Sequence, residues 1–291
     1  MRVLFTGASS ALGERVLRRL LDHADYSEIW CGLHKRNLAV AHSKLRTFEL
    51  DLARDVHLDK IPGPLDLVIH FAALTHTQEN HAYWDINFSG TLRLISAARA
   101  LGCRSFFYVS TRCATAGSGA YGESKLAVEA ELQKQSWESL LILRPAEVYG
   151  AGTREGVDGF VRLASKWHVV PLLWGHRGIQ FAPIHIDDFV ECMWAILRNH
   201  SAGVRVLELC GPEKLNGVTL SLRLARRYTA LPFPIWFPGM ALMLRVFNAL
   251  GWKPVTPDQV SRLVGPKTAT NSSDESALVS DMIRFPERAI T

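Results

Sequence analysis

Five residues spaced as Tyr-x-x-x-Lys carry the first chemical suggestion in this chain. In YGESK, residues 121–125, Tyr121 and Lys125 lie four positions apart within a predicted helix and so share one face. An ammonium beside a phenol favours the phenolate and lowers its pKa toward neutrality. A phenol tuned in that way can exchange a proton with an alcohol or a carbonyl. Two hydroxyls, Ser110 and Thr111, end the apolar run just before it. Near the start stands TGASSALG, residues 6–13, between a short β-rich run and a helical pattern. There Gly7 allows a sharp turn and Gly13 lets the helix pack closely on the strand. Exposed amides and the positive helix end can hold a pyrophosphate. Ser9 and Ser10 can cap the helix and offer hydroxyls to phosphate. Each stretch alone also fits a bland role, a surface helix pair or a capped turn. Their order along one chain is what makes them specific.

These groups need a scaffold, and the hydrophobic pattern supplies one. RVLFTG, EIWCGL, LRTFELDL, PLDLVIHFAAL, SFFYVST and LLILRP read as strands. Helical patterns intervene, among them ALGERVLRRLLDH, a long run from about Tyr83 to Leu101, and YGESKLAVEAELQKQ. That alternation predicts an α/β, Rossmann-type doubly wound parallel sheet over residues 1–150. VRVLELCG is expected to return to the sheet, within a segment 183–211. Residues 151–182 and 212–291 are expected to form a smaller, mainly helical substrate lobe.

Composition narrows the class. The chain has 291 residues, 48% hydrophobic and 21% charged, with a net charge of +5. The arginines lie in helical patterns rather than in a basic run with interleaved aromatics, so nucleic acid is not an expected partner. Five scattered cysteines without metal-ligand spacing suggest free thiols in a reducing compartment. With no signal-peptide pattern, a cytoplasmic location is expected. LPFPIWFPGMALMLRVFNAL, residues 231–250, is broken by three prolines and a glycine and carries Arg245, which makes it a poor membrane span. His76 and His81 lack carboxylate or cysteine partners at useful spacing, so no metal site is expected. His70, in a buried strand, is expected to serve packing and hydrogen bonding.

Taken together, the ordered motifs resemble the short-chain dehydrogenase/reductase superfamily, in its extended branch of NAD-dependent epimerases and dehydratases. TGASSALG is similar to the TGxxGxxG loop with Ser10 at the middle glycine, and equally to the compact branch's TGxxxGxG with Ala11 at a glycine. The resemblance assigns Gly7, Ser9, Ser10, Ala11, Leu12 and Gly13 to the pyrophosphate and Asp51 and Leu52 to adenine. Phe71, Ala72 and Ala73 would line the cofactor, and Pro145 of RPAEVYGAG would lie near the nicotinamide. It implies Tyr121 as general acid/base and Lys125 as the residue that lowers its pKa and binds the nicotinamide ribose. Thr111 would hydrogen-bond the reacting oxygen with Ser110 as its substitute, and Asn87 would be a proton-relay or structural residue. NAD-preferring members end the second strand with an acid; here it runs into His34, Lys35 and Arg36, which suit a 2′-phosphate and point to NADP rather than NAD. Such proteins often dimerise through two helices, and Leu92, Ile95, Val128 and Leu132 are candidates for that homodimer surface.

Two departures bear on the substrate. Only ten positions separate Thr111 from Tyr121, where extended members carry a long insertion. The arginine that grips a sugar nucleotide before the V-D-D segment corresponds to Phe181, before HIDD at 185–188. Arg154 and Arg177 lie nearby in sequence and could compensate, and Trp236, Phe237, Met240, Met243, Leu244 and Phe247 make the lobe apolar. The expected function is therefore hydride transfer between NADP(H) and a small or apolar carbonyl or alcohol. A nucleotide-sugar epimerase or dehydratase is the second reading, and a catalytically silent NADP-binding sensor or structural protein the third.

Overall fold

The computed structural model describes residues 1–153, 156–175, 179–199, 202–236, 256–268 and 282–286. Their contacts divide into two compact units. One comprises Met1–Ala116, Ala120–Arg144 and Met193–Leu207; the other comprises Gly117–Gly119, Pro145–Cys192 and Glu208–Thr291.

The first unit is built on a seven-stranded sheet. Its strands are β1 (Arg2–Thr6), β2 (Glu28–Leu33), β3 (Leu45–Glu49), β4 (Leu67–His70), β5 (Ser105–Val109), β6 (Ser139–Pro145) and β11 (Gly203–Leu209). The spatial order is β11-β6-β5-β4-β1-β2-β3. The chain thus winds outward from β1 to β3, then reverses from β4 to β6, and the reversal falls between β1 and β4. In doubly wound sheets, ligands bind beyond the strand carboxyl ends at that point. β4 is buried at every position, as a parallel strand covered on both faces must be.

Helices α1 (Ala11–Leu21), α2 (Asn80–Tyr83), α3 (Gly90–Ala100) and α4 (Ala120–Gln133) accompany these strands. In α1, Val16, Leu17 and Leu20 are fully buried, and each such side chain contributes about 1.5–3 kcal/mol. Arg18 and Arg19 stand in its last turn, where cations favour the helix dipole. The long helix expected from Tyr83 to Leu101 is interrupted by a π-helical turn, Trp84–Ser89, between α2 and α3. Such turns are rare and mark functional places in helices. Gly90 follows it, where a Cβ would meet the Leu52 carbonyl oxygen at 2.4 Å. The glycine therefore lets α3 press against the loop after β3. Ile95, Val128 and Leu132, considered above for a dimer surface, instead pack into this unit's core, with Leu92 partly buried against them. They turn toward the sheet because that face gathers the apolar residues of β4, β5 and β6.

The second unit contains α5 (Gly156–Trp167), β8 (Val169–Trp174), α7 (Gly217–Tyr228), β13 (Leu231–Trp236) and α8 (Pro257–Val264). The short strands β7 (Val148–Tyr149), β9 (Gln180–Phe181), β10 (Ile184–His185) and β12 (Leu215–Asn216) pair as β7 with β10 and β9 with β12. Helix α6 (Ile186–Asn199) has Asp187 and Asp188 in its first turn. The proline-rich LPFPIW, placed above in a helical lobe, is extended and pairs parallel to β8. Among the described residues, no helix is long and apolar enough to cross a membrane.

Candidate active site

The loop after β1 folds back on itself through one hydroxyl. Ser10 is the N-cap of α1: its Oγ accepts from the Gly13 amide at 2.9 Å and donates to the Gly7 carbonyl at 2.9 Å. The proton expected for a phosphate is thus given to the loop itself. The first-turn amides of Ala11 and Leu12 have no acceptor within the helix, and they remain the groups suited to an anion. Gly7 has φ +79°, and a Cβ there would lie 2.6 Å from the Ala72 amide nitrogen and 2.8 Å from the Phe71 carbonyl carbon. At Gly13 a Cβ would lie 2.2 Å from the Gly7 oxygen. The loop therefore needs both glycines, and Gly7 is packed onto Phe71 and Ala72 just beyond β4. This close, capped turn at the sheet's reversal fits a dinucleotide pyrophosphate.

Register aligns a row across the sheet: Gly32, Thr6, His70, Tyr108 and Ile142 are partners on β2, β1, β4, β5 and β6. Thr6 Oγ1 and His70 Nδ1 lie 2.6 Å apart, and His70 Nε2 lies 2.9 Å from Thr91 Oγ1. Burial, reinforced by the Lys125 charge, holds the His70 pKa well below the usual imidazole value. His70 is thus a neutral tie between β1, β4 and α3, the packing role expected from sequence.

At the far end of β2, His34, Lys35 and Arg36 are exposed. His34 Nε2 stands 3.6 Å from Asp51 Oδ2, and Arg54 Nε stands 3.4 Å from the same oxygen. His34 is thus turned toward Asp51, while Lys35 and Arg36 stand exposed beside it. Leu52 is buried, and its carbonyl accepts from Arg93 Nη2 at 2.6 Å.

Asn87 sits buried in the π-helical turn and clasps one residue. Its Oδ1 accepts from the Leu74 amide at 2.7 Å, and its Nδ2 donates to the Leu74 carbonyl at 3.0 Å. This pair of bonds fixes the segment after Phe71, Ala72 and Ala73.

Helix α4 presents Tyr121 half-buried and Lys125 fully buried one turn on. The Tyr121 ring meets the buried Tyr83 ring edge-on at 5.8 Å. Lys125 Nζ lies over the Tyr108 ring, 4.1 Å from its centroid. Removal from water, partly offset by the charge of Glu129, lowers the Lys125 pKa to about 7. Glu129, one further turn along, is buried and accepts the Ser110 hydroxyl. Arg144 on β6 grips both of its oxygens, at 2.5 Å from Nη2 to Oε2 and 3.0 Å from Nε to Oε1. Ser110 therefore gives its proton to a carboxylate of the protein. Thr111 is half-buried; its Oγ1 accepts from the Cys113 amide at 3.2 Å and keeps a proton to give elsewhere. Pro145 ends β6.

Sequence reasoning missed Tyr108, Glu129 and Arg144. Glu129 was findable, because Tyr121, Lys125 and Glu129 recur every four residues along one helical stripe. In the second unit, Phe181 is buried against Phe160, and Lys267 Nζ lies 5.2 Å from its ring centroid and 3.1 Å from Glu147 Oε1. Arg154, Arg177, Phe237, Met240, Met243, Leu244 and Phe247 lie outside the described residues, while Trp236 ends β13, exposed. Among the described residues, no cluster of three or more histidines, cysteines or carboxylates is placed to hold a metal.

Comparison with known proteins agrees with this architecture. The ceramide reductase of Caulobacter vibrioides is 29% identical over 208 residues, covering 69% of this chain and 62% of that protein. The chain thus spans less than two thirds of that relative's length. The UDP-glucose 4-epimerase of Vibrio cholerae is 24% identical over 294 residues, covering 90% and 85%. Among solved structures, a dTDP-glucose 4,6-dehydratase from Streptomyces venezuelae with NAD bound has TM-score 0.64 at 21% identity, over 81% of this chain and 84% of that one. A Thermus thermophilus UDP-glucose 4-epimerase in complex with NAD gives 0.65 at 21% identity, over 91% and 97%. At that identity the likeness concerns the fold. The pattern of the NAD dependent epimerase/dehydratase family matches residues 3–210. With the glycine loop, the sheet reversal and the family pattern all in register, this chain belongs to the NAD dependent epimerase/dehydratase family, whose members are enzymes.

Proposed function

We propose that this chain is an NADP-dependent reductase that moves hydride between the cofactor and an apolar carbonyl or alcohol. The observation that carries the reading is the placing of Lys125, fully buried one helical turn from the half-buried Tyr121. Residues 7–13 would hold the pyrophosphate, Asp51 and Leu52 the adenine side, and Lys35 and Arg36 the 2′-phosphate. The nicotinamide supplies the hydride. Tyr121 gives its phenolic proton to the substrate oxygen as negative charge grows there, and the Lys125 ammonium eases that loss. Thr111 donates a hydrogen bond to the same oxygen and orients it. Asn87 acts through the Leu74 backbone, as a positioning residue.

The substrate class rests on Phe181. A buried phenyl ring where the family resemblance leads one to expect an arginine offers a sugar-nucleotide phosphate no bidentate partner. Likeness to a ceramide reductase, an enzyme named for a lipid, supports the same direction. The test is loss of NADPH absorbance with a panel of long-chain and aromatic ketones and aldehydes. Wild-type turnover and a Tyr121→Phe loss on the order of 10²–10⁴ support the reading, since that is the usual contribution of a positioned acid/base. The likeness to the Vibrio cholerae epimerase over nearly the whole chain favours a second reading, a nucleotide-sugar epimerase. Interconversion of UDP-glucose and UDP-galactose without net NADPH loss would replace the first reading with the second.

A further inference from the structure

The second unit displays a row of large apolar side chains that its own fold leaves in water. Trp167, at the end of α5, is 64% exposed, Leu231 is 74% exposed and Trp236 is 55% exposed. Trp174 and Phe233 are exposed between and beside them. Their placing is fixed by the backbone. The Leu231 amide donates to the His168 carbonyl at 2.8 Å, and the β13–β8 register then runs from Leu231 beside Val169 to Trp236 beside Trp174. Six paired positions make a ribbon roughly 17–20 Å long, with Trp174 and Trp236 on one face and Leu231 and Phe233 on the other, so the ribbon carries large apolar groups on both of its faces. A typical monomer keeps large apolar patches for function.

Charge tells what the strip faces. From Gly159 to Ile186, and again from Lys214 to Pro257, the sequence has basic residues and no aspartate or glutamate. Glu213, which borders the second stretch, is gripped by Arg223 at 2.6 Å and 3.0 Å. Lys166 precedes Trp167, and Arg226 and Arg227 close α7 just before β13; all three are exposed. His168 Nδ1 lies 3.1 Å from the Tyr228 carbonyl, which ties the ends of α5 and α7 together beside the strip. Tryptophans within stretches of sequence that hold cations and no acids suit the interface of a bilayer with anionic headgroups. A second copy of this chain adding a strand is disfavoured, because Pro232 and Pro234 remove two amide donors from β13.

We infer that this surface docks the protein onto anionic lipid membranes, with Trp167, Trp174, Phe233 and Trp236 entering the headgroup layer and Lys166, Arg226 and Arg227 meeting lipid phosphates. The surface accords with an apolar substrate but does not depend on the reductase reading.

The experiment is flotation of the full chain with vesicles of phosphatidylglycerol and phosphatidylcholine mixed equally, and with phosphatidylcholine alone, at low and high salt. Binding to the anionic vesicles, weakened by salt, is expected. Arg226→Glu with Arg227→Glu is expected to weaken it by about tenfold or more, each basic residue near such a surface contributing about fivefold. Phe233→Ser with Trp236→Ser is expected to abolish binding, with the thermal unfolding transition retained as evidence of folding. Absence of flotation with anionic vesicles overturns the inference. So does flotation that both folded variants keep. A dimer in sedimentation that Phe233→Ser and Trp236→Ser dissociate, without vesicle binding, assigns the strip to a second copy. Carbonyl reduction with no vesicle binding sinks this surface and leaves the reductase reading intact; vesicle binding with no turnover does the reverse.

Discussion

Lys125 places its ammonium 4.1 Å from the centroid of the Tyr108 ring, while the His70 ring lies nearly parallel to the same phenol at 5.8 Å. The phenol oxygen itself is buried and has no hydrogen-bond partner among the described residues. Ring and hydroxyl therefore act in opposite directions. The ring stabilises a desolvated cation by about 2 kcal/mol, whereas an unsatisfied buried hydroxyl costs about 1–3 kcal/mol. Tyr108→Phe keeps the first and removes the second, so it is expected to raise stability by about 1 kcal/mol. Tyr108→Leu loses the ring and is expected to destabilise and to lower turnover. Urea unfolding of both variants checks this; a destabilised Tyr108→Phe would mean that the hydroxyl has a partner in solution.

The buried ammonium also predicts how stability follows pH. In the unfolded chain Lys125 titrates near the ordinary lysine value, about 10.4, and in the folded protein at about 7. Between those values the unfolded state binds more protons, so this residue makes stability climb with pH. Below about 7 both states are charged and its burial penalty is full. Replacing Lys125 by Met removes that penalty. The variant is expected to gain most over wild type at low pH, and the gain should shrink toward about pH 10. Urea midpoints for both proteins across that range decide it; a constant difference would place Lys125 in contact with water.

Glu129 joins three elements, since it accepts from Ser110 after β5 and from Arg144 on β6 while standing on α4. Removing one partner of a buried ion pair strands the other, so Glu129→Ala is expected to cost about 3–5 kcal/mol. Ser110→Ala loses one hydrogen bond to a charged group and is expected to cost about 1.5–3 kcal/mol. The two losses share one network, so the double variant should lose less than their sum. Denaturant unfolding of the three variants tests this. Under the proposed chemistry Ser110→Ala retains turnover and Thr111→Ala does not.

Much of this arrangement is legible in the amino-acid sequence. Periodicity found the strands because β4, β5 and β6 are apolar runs buried on both faces, and Gly7 and Gly13 announced a tight turn because little else fits there. The π-helical turn at Trp84–Ser89 is not legible in the sequence, because it displaces the apolar pattern by only about one residue, within the scatter of a helical pattern. The strand LPFPIW is not legible in the sequence, because its prolines argue against a paired strand and only its partner β8 makes it one. The motifs offer Ser10 and Ser110 as ligand-facing hydroxyls. Sequence shows that a hydroxyl is present but not where its proton goes, and here both protons go to the protein itself.

Compactness of the glycine loop predicts a sharp difference between two similar substitutions. Gly7→Ala would force a side chain onto the backbone of Phe71 and Ala72 at a φ of +79°. Ser10→Ala only removes the cap, at a cost of about 1 kcal/mol. Gly7→Ala is thus expected to abolish dinucleotide binding, while Ser10→Ala binds with modest loss. Tryptophan fluorescence titration separates them; equal, severe loss in both would give Ser10 a direct role at phosphate.

Cofactor choice is expected to rest on two side chains. His34 is turned toward Asp51 at 3.6 Å, which leaves Lys35 and Arg36 exposed after β2. A charge-assisted bond from either to a 2′-phosphate exceeds what the ribose hydroxyl alone can gain. Lys35→Ala with Arg36→Ala is therefore expected to weaken NADPH by about tenfold or more and leave NADH nearly unchanged. His34→Ala should alter the ratio little, because its partner is a carboxylate of the protein. The measurement is a pair of dissociation constants, NADPH against NADH, for each protein. Wild-type preference for NADH would remove the basis for a phosphate site at this turn and turn attention to the epimerase chemistry that the family also supports.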